Sequence, residues 1–135
     1  MTQEDKQLLL KDLCVRLPYG VFIHYHWSRE GNTIDEDREL DFSDVETLKY
    51  NIENPQNGWC EISCKPYLRP MSSMTDEERA KIAVLSKFNG LTKSVDFAEC
   101  SSIFVDYCNS RHLDYRGLVP MGLALEAPED MYKTE

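Results

Sequence analysis

One stretch constrains the fold more than any other. In "VFIHYHWS", residues 21–28, Val21, Ile23, Tyr25 and Trp27 alternate with Phe22, His24, His26 and Ser28. A side-chain period of two belongs to a β-strand with unlike faces. The first set is bulky throughout and is expected to face the core. The second carries two histidines and is expected to face away from it. The strand spans residues 20–28, and "REGN", residues 29–32, is a turn that closes it.

A helix precedes this strand, over residues 3–16. Thr2 is its expected cap, with Asp5 three positions later. Leu9, Leu13 and Leu17, joined by Leu10 and Cys14, form its apolar stripe, and Pro18 and Gly20 stop it. After the strand, residues 37–43 and 45–51 read as weaker strands. The second of these equally fits a short helix opening at Ser43 or Asp44. "ENPQNG", residues 53–58, is a turn, and residues 59–64 are a strand. Pro66 and Pro70 keep 65–70 extended.

A second helix starts after Thr75, where Thr75-x-x-Glu78 forms a capping box, and Asn89-Gly90 closes it. Ile82, Leu85 and Phe88 are its inward face. A third helix covers 94–110, with Phe97, Cys100, Phe104 and Tyr107 on one stripe. The tail, 112–135, holds Gly117, Pro120, Gly122 and Pro128. Leu118, Val119, Leu123 and Leu125 should dock it, while "EAPEDMYKTE" should fray.

A run of strands followed by a run of helices predicts an α+β fold. It comprises an N-terminal helix, a small curled antiparallel sheet of three to four strands, two C-terminal helices and a docked irregular tail. The chain of 135 residues is one domain. Within it, 1–70 is helix plus sheet, 71–111 is helical and 112–135 is tail. The expected core is Leu9, Leu13, Val21, Ile23, Tyr25, Trp27, Leu40, Phe42, Trp59, Ile62, Ile82, Leu85, Phe97, Phe104 and Tyr107.

His24 and His26 lie i and i+2 on a strand, about 6.5–7 Å apart, close enough to meet one ion. Such a site needs a third ligand, and the remaining histidine, His112, is far along the chain. These three are the metal candidates, but solvent-facing imidazoles are the favoured reading, with no cofactor. Cys60 and Cys64 on a strand lie about 13 Å apart, beyond a disulfide. The five cysteines follow no framework spacing and suit free, mostly buried thiols in a reducing cytoplasm. No Gly-x-Ser-x-Gly elbow and no glycine-rich phosphate loop occurs. The sequence therefore shows no catalytic set, and the reading is non-enzymatic.

Charge narrows the partners. The net charge is −9, which opposes direct binding to nucleic acid or to an anionic membrane. No secretory leader is expected, since the start "MTQEDKQLLL" is acidic and polar, and no apolar run is long enough to span a bilayer. Residues 30–46 hold eight acids against Arg38, so eight minus one leaves −7 in this segment. Asp35, Glu36, Asp37, Glu39, Asp41 and Asp44 are its candidate partner-binding residues. A row of carboxylates at strand spacing could mimic a phosphate backbone and fill a basic groove. The plainer reading is a solvated edge strand guarded by charge.

Two further stretches, "KPYLRPMSSMTDEE" at 65–78 and "LDYRGLVPMGLALEAPEDMY" at 113–132, follow an opening "LLLKDLCVRLPYGV" at 8–21. Together they resemble small proteins of phages, prophages and mobile elements of gut anaerobes, a set without an assigned activity. The resemblance implies an accessory protein of a bacterial cytoplasm and carries over no catalytic residue. It also implies structural roles: Tyr67, Leu68 and Met71 pinning the sheet to the second helix, and Tyr115 and Leu118 docking the tail. Three functions follow as expectations. The first is a protein-interaction module with a protein partner. The second is an acidic decoy for a nucleic-acid-binding protein. The third is a metal-dependent enzyme using His24 and His26. No motif sets an oligomeric state.

Overall fold

The computed structural model of the chain describes residues 2–54, 61–91 and 97–132. Helix α1 (Gln3–Arg16) begins as its sequence predicts. Thr2 Oγ1 accepts from the Asp5 amide at 3.0 Å, and the Asp5 carboxylate accepts from the Thr2 amide at 3.2 Å. A single 3₁₀ turn, Leu17–Tyr19, ends at Gly20, whose φ of 72° is left-handed. A Cβ there would also meet Glu39 Oε1 at 2.9 Å, the end of a flexible side chain that would have to shift.

Strands β1 (Phe22–Arg29) and β2 (Asn32–Glu39) form an antiparallel hairpin. Its two-residue loop, Glu30-Gly31, takes φ of 48° and 82°. Two positive φ values in succession match the right-handed twist of a hairpin. Strand β3 (Glu61–Leu68) pairs with the other side of β1, also antiparallel. A two-residue strand, β4 (Leu125–Glu126), joins β3 in parallel. The order is β2-β1-β3-β4, so β2 is an edge.

The α+β class holds, with one helix more than the sequence reading has. Residues 45–51 are not a strand. They lie in α2 (Phe42–Glu53), whose first turn is a capping box. The Asp41 carboxylate accepts from the Ser43 amide at 2.7 Å and the Asp44 amide at 3.2 Å. Val45, Leu48 and Ile52 recur at helical spacing and are buried. Phe42, expected in the core, is 63% exposed at the first position of α2, whose buried residues begin at Asp44. The fourth strand likewise comes from the tail, not from 45–51.

Helices α1 and α2 cover one face of the sheet. Leu9 and Leu13 meet Val45, Leu48 and Ile52, and Val21, Ile23, Cys64 and Leu68 close the core from the sheet. Leu118, Leu123 and Ala124 of the tail complete it. Tyr25 packs against this cluster, but Trp27 is only half-buried toward the hairpin loop and lies outside it. Pro66 fits inside β3 for a register reason. It faces Ile23 at a position whose ladder bonds point away from β1, and β4 pairs only from Tyr67 onward.

Helices α3 (Asp76–Leu91) and α4 (Phe97–Ser110) form a separate pair. The Thr75–Glu78 box is present, with Glu78 N–H donating to Thr75 Oγ1 at 3.2 Å and Thr75 N–H donating to Glu78 Oε1 at 2.9 Å. Asn89-Gly90 does not end α3, which continues to Leu91. Ile82, Leu85, Phe104 and Tyr107 are half-buried rather than core. Trp59, Cys60 and residues 94–96 lie outside the described residues, as do the side chains of Ile62, Phe88, Phe97 and Cys100.

Two features hold the parts together. Asp12 and Arg16 are fully buried one turn apart on α1, with Arg16 Nε 2.7 Å from Asp12 Oδ2. Arg16 Nη2 donates to the Leu113 carbonyl at 2.8 Å, and Arg116 reaches Asp12 Oδ1 at 3.1 Å. The fraying expected of 126–135 does not extend through Tyr132. Its hydroxyl donates to the Tyr67 carbonyl at 2.7 Å and accepts from the Phe22 amide at 2.8 Å. Its ring stacks on His112 at 3.8 Å. Residues 133–135 lie outside the described residues.

Candidate functional site on the open face of the sheet

The face of the sheet turned away from α1 and α2 carries the chemistry. Alternation puts His24 and His26 of β1, Asp35 and Asp37 of β2, and Ser63, Lys65 and Tyr67 of β3 on this one side. His24 stands opposite Asp37, and His26 opposite Asp35. The expected polarity of β1 is thus borne out. Ile23 is fully buried, while the His24 and His26 side chains keep 33% and 28% of their exposure.

These four side chains form one network. His24 Nδ1 lies 2.8 Å from Asp37 Oδ1, and that oxygen also accepts from the Tyr67 hydroxyl at 2.7 Å. His24 Nε2 lies 3.2 Å from Asp35 Oδ1, and His26 Nδ1 lies 2.7 Å from the same oxygen. Hydrogen bonding to Asp37, then Asp35, raises the His24 pKa against the opposing effect of desolvation. The Asp37 carboxyl is held low by Tyr67 first and His24 second, and Asp35 by His26 and then His24. Desolvation, helped by Asp37, pushes Tyr67 up to about 12.

The acidic segment divides by register. Asp35, Asp37 and Glu39 share the open face. Glu36 lies on the other side and meets Arg38 at 2.9 Å. Arg38 also clasps Asp44 through two bonds of 2.6 Å and lies over the Tyr25 ring at 4.8 Å. Asp44 is 4% exposed, so it is no part of an outward ridge, and Asp41 is engaged as the α2 cap. The row of like-facing carboxylates is therefore three residues long.

His112 does not join the other histidines. It sits after α4 with φ of 59°, stacked on Tyr132. Burial, with Arg16 and Arg69 nearby, depresses its pKa to about 4. Cys64 and Cys108 are buried thiols pushed up by desolvation to about 12 and about 11. Cys14 departs from the expectation of burial, lying exposed on α1. A polar cleft of about 620 Å³ lies between the α3 start and residues 110–112. Its Arg69 and Glu78 satisfy one another through bonds of 2.8 and 2.7 Å, with Arg69 the main cause of a Glu78 pKa of about 2.

Sequence reasoning missed Asp35 and Asp37 as partners of the histidines. The signal was present in the hairpin loop. A two-residue loop at 30–31 makes paired residue numbers sum to 61, which sets His26 against Asp35 and His24 against Asp37. Among the described residues, no group of three or more His, Cys, Asp or Glu is placed so that it could hold a metal ion. Nor is any helix among them long and apolar enough to cross a membrane. No family model matches the chain, and no curated protein or solved structure is significantly similar to it.

Proposed function

We propose that the chain is a non-enzymatic protein-interaction module, an accessory protein of the phage and mobile-element kind it resembles, acting in a bacterial cytoplasm. Its interface is the edge strand β2, and its partner supplies an extended, basic segment. The single observation behind this reading is the state of β2. All eight of its residues except Arg38 are exposed, and it has no described neighbour on its outer side. The Leu40 amide donates to the Val21 carbonyl, which sets the ladder phase. By alternation, the backbone groups of Thr33, Asp35, Asp37 and Glu39 point outward. Such an edge accepts an added strand, and Asp35, Asp37 and Glu39 beside it favour Lys and Arg on that strand. A second copy of the same acidic strand is disfavoured by repulsion.

The acidic decoy is a second reading, favoured by the same three carboxylates at strand spacing. One experiment separates the two. The immobilised chain is used to capture proteins from a bacterial host lysate across a salt series, beside a Thr33→Pro variant. Thr33 donates no bond to β1, so proline there blocks the edge and spares the hairpin. Edge pairing predicts capture that Thr33→Pro abolishes and salt only weakens. A decoy predicts capture indifferent to Thr33→Pro and released steeply by salt. Capture indifferent to both would overturn both readings.

A further inference from the structure

We propose that His24 is a proton-operated latch on the β2 edge. Carrying a hydrogen on both ring nitrogens, it ties Asp35 and Asp37 to β1; on losing one, it releases Asp35 to the basic strand that the edge accepts. This regulation rests on the edge-pairing reading of β2 given above.

The protons can be counted from the contacts. A carboxylate only accepts hydrogen bonds, so each group bonded to one must bring a hydrogen. Asp37 Oδ1 receives one from the Tyr67 hydroxyl at 2.7 Å and one from His24 Nδ1 at 2.8 Å. Asp35 Oδ1 receives one from His26 Nδ1 at 2.7 Å and one from His24 Nε2 at 3.2 Å. His26 supplies its hydrogen as a neutral ring. His24 cannot, because a neutral imidazole has a single N–H and both of its nitrogens face a carboxylate. The closed network therefore holds His24 as an imidazolium. Minus two from the carboxylates and plus one from the ring leave it at −1.

The neighbouring groups leave this balance in place. On β3, Lys65 stands opposite His24 and opposes its charge, while the Tyr67 hydroxyl is neutral and bonded to Asp37. On β2, Asp35 and Asp37 outnumber Lys65, and Glu39 follows on the same face. Hydrogen bonding to Asp37 first, and to Asp35, keeps the His24 pKa above 6.5 against desolvation. The latch therefore opens as pH rises through that raised value.

Losing the Nε2 proton acts on β2 in two ways. It leaves a lone pair 3.2 Å from Asp35 Oδ1, and two acceptors at that distance repel. Asp35 is 54% exposed on an edge strand, so little packing resists its outward turn. The network also passes from −1 to −2. An added strand sets alternate residues beside Asp35 and Asp37, at the same-face spacing of about 6.5–7 Å. Lys or Arg there meets a carboxylate that is both freer and less neutralised. Docking strengthens with rising pH and, by linkage, docking expels the proton.

The probe is a synthetic peptide of about eight residues alternating lysine with threonine, blocked at both ends so that its own charge stays constant. Its affinity for the full chain is measured by calorimetry at about pH 6 and about pH 8.5. Binding should be at least about fivefold tighter at the higher pH, the lower end of usual coupling between sites. His24→Gln should bind with an affinity that pH does not change, and His26→Gln should keep the rise. Nitrogen-15 spectra should show hydrogens on both His24 ring nitrogens at the lower pH and on Nδ1 alone at the higher. Flat binding in the parent, a rise that survives His24→Gln, or a single ring hydrogen on His24 at the lower pH would each overturn the latch. Thr33→Pro tells this failure from that of the edge reading. Peptide binding that Thr33→Pro leaves intact, or no binding at either pH, overturns the edge reading and its regulation together.

Discussion

Asp37 is the residue on which the open face turns, because it joins His24 to Tyr67. Its removal has a definite consequence for pH. The folded-state pKa of His24 lies above 6.5, so this pair adds stability that is complete below pH 6.5 and fades as pH rises through the raised value. Asp37→Asn should return the His24 titration toward 6.5, read from its ring-proton shifts by NMR; an unmoved midpoint would show that Asp37 is not the main cause. Burial sets a different magnitude at Asp12. It is fully buried beside Arg16 and Arg116, so Asp12→Asn takes the counter-charge from the buried Arg16 and should cost about 3–5 kcal/mol in denaturant melts. Trp27→Ala should cost less than Leu13→Ala, for which about 2–5 kcal/mol is expected, since Leu13 is fully buried and Trp27 is not in the core cluster.

Among the elements, β2 shows how a backbone position outweighs residue type. Thr33 and Ile34 are neighbours, yet only the Ile34 amide faces β1. Thr33→Pro should therefore leave stability within about 1 kcal/mol of the parent, while Ile34→Pro should lose a ladder bond and melt markedly lower. Equal losses at the two positions would mean that the register is shifted by one. Helix α2 shows a different competition. Leu40 and Phe42 continue the alternation of a strand, but Asp41 and Asp44 cap a helix across the same residues. The cap wins because Val45, Leu48 and Ile52 at helical spacing can all reach the core at once.

In the whole molecule, the last described segment acts as a strap. Tyr132 ties the start of β1 to the end of β3 and covers His112. His112 has a folded pKa of about 4, below its usual 6.5. The unfolded chain therefore takes up a proton that the folded chain refuses, and stability falls as pH drops from about 6.5 toward 4. His112→Gln should flatten that part of the stability–pH curve. An unchanged slope would show that His112 does not set the acid limit.

What the sequence by itself determined is local. The two faces of β1, the capping boxes at Thr2 and Thr75, and the Glu30-Gly31 turn all follow from residues within a few positions of one another. The inward turn of Ile23 and the outward turn of the histidines needed only a period of two. Tertiary structure alone decided the rest. The Arg16–Leu113 bond joins residues 97 apart, and Tyr132 reaches Phe22 across 110. Arg38 turns to the covered face and clasps Asp44 of the same acidic run, which takes Asp44 out of the outward carboxylate row. Such pairings depend on which surfaces meet when the core closes. A hydrophobic pattern says that a surface must be buried, not what will bury it.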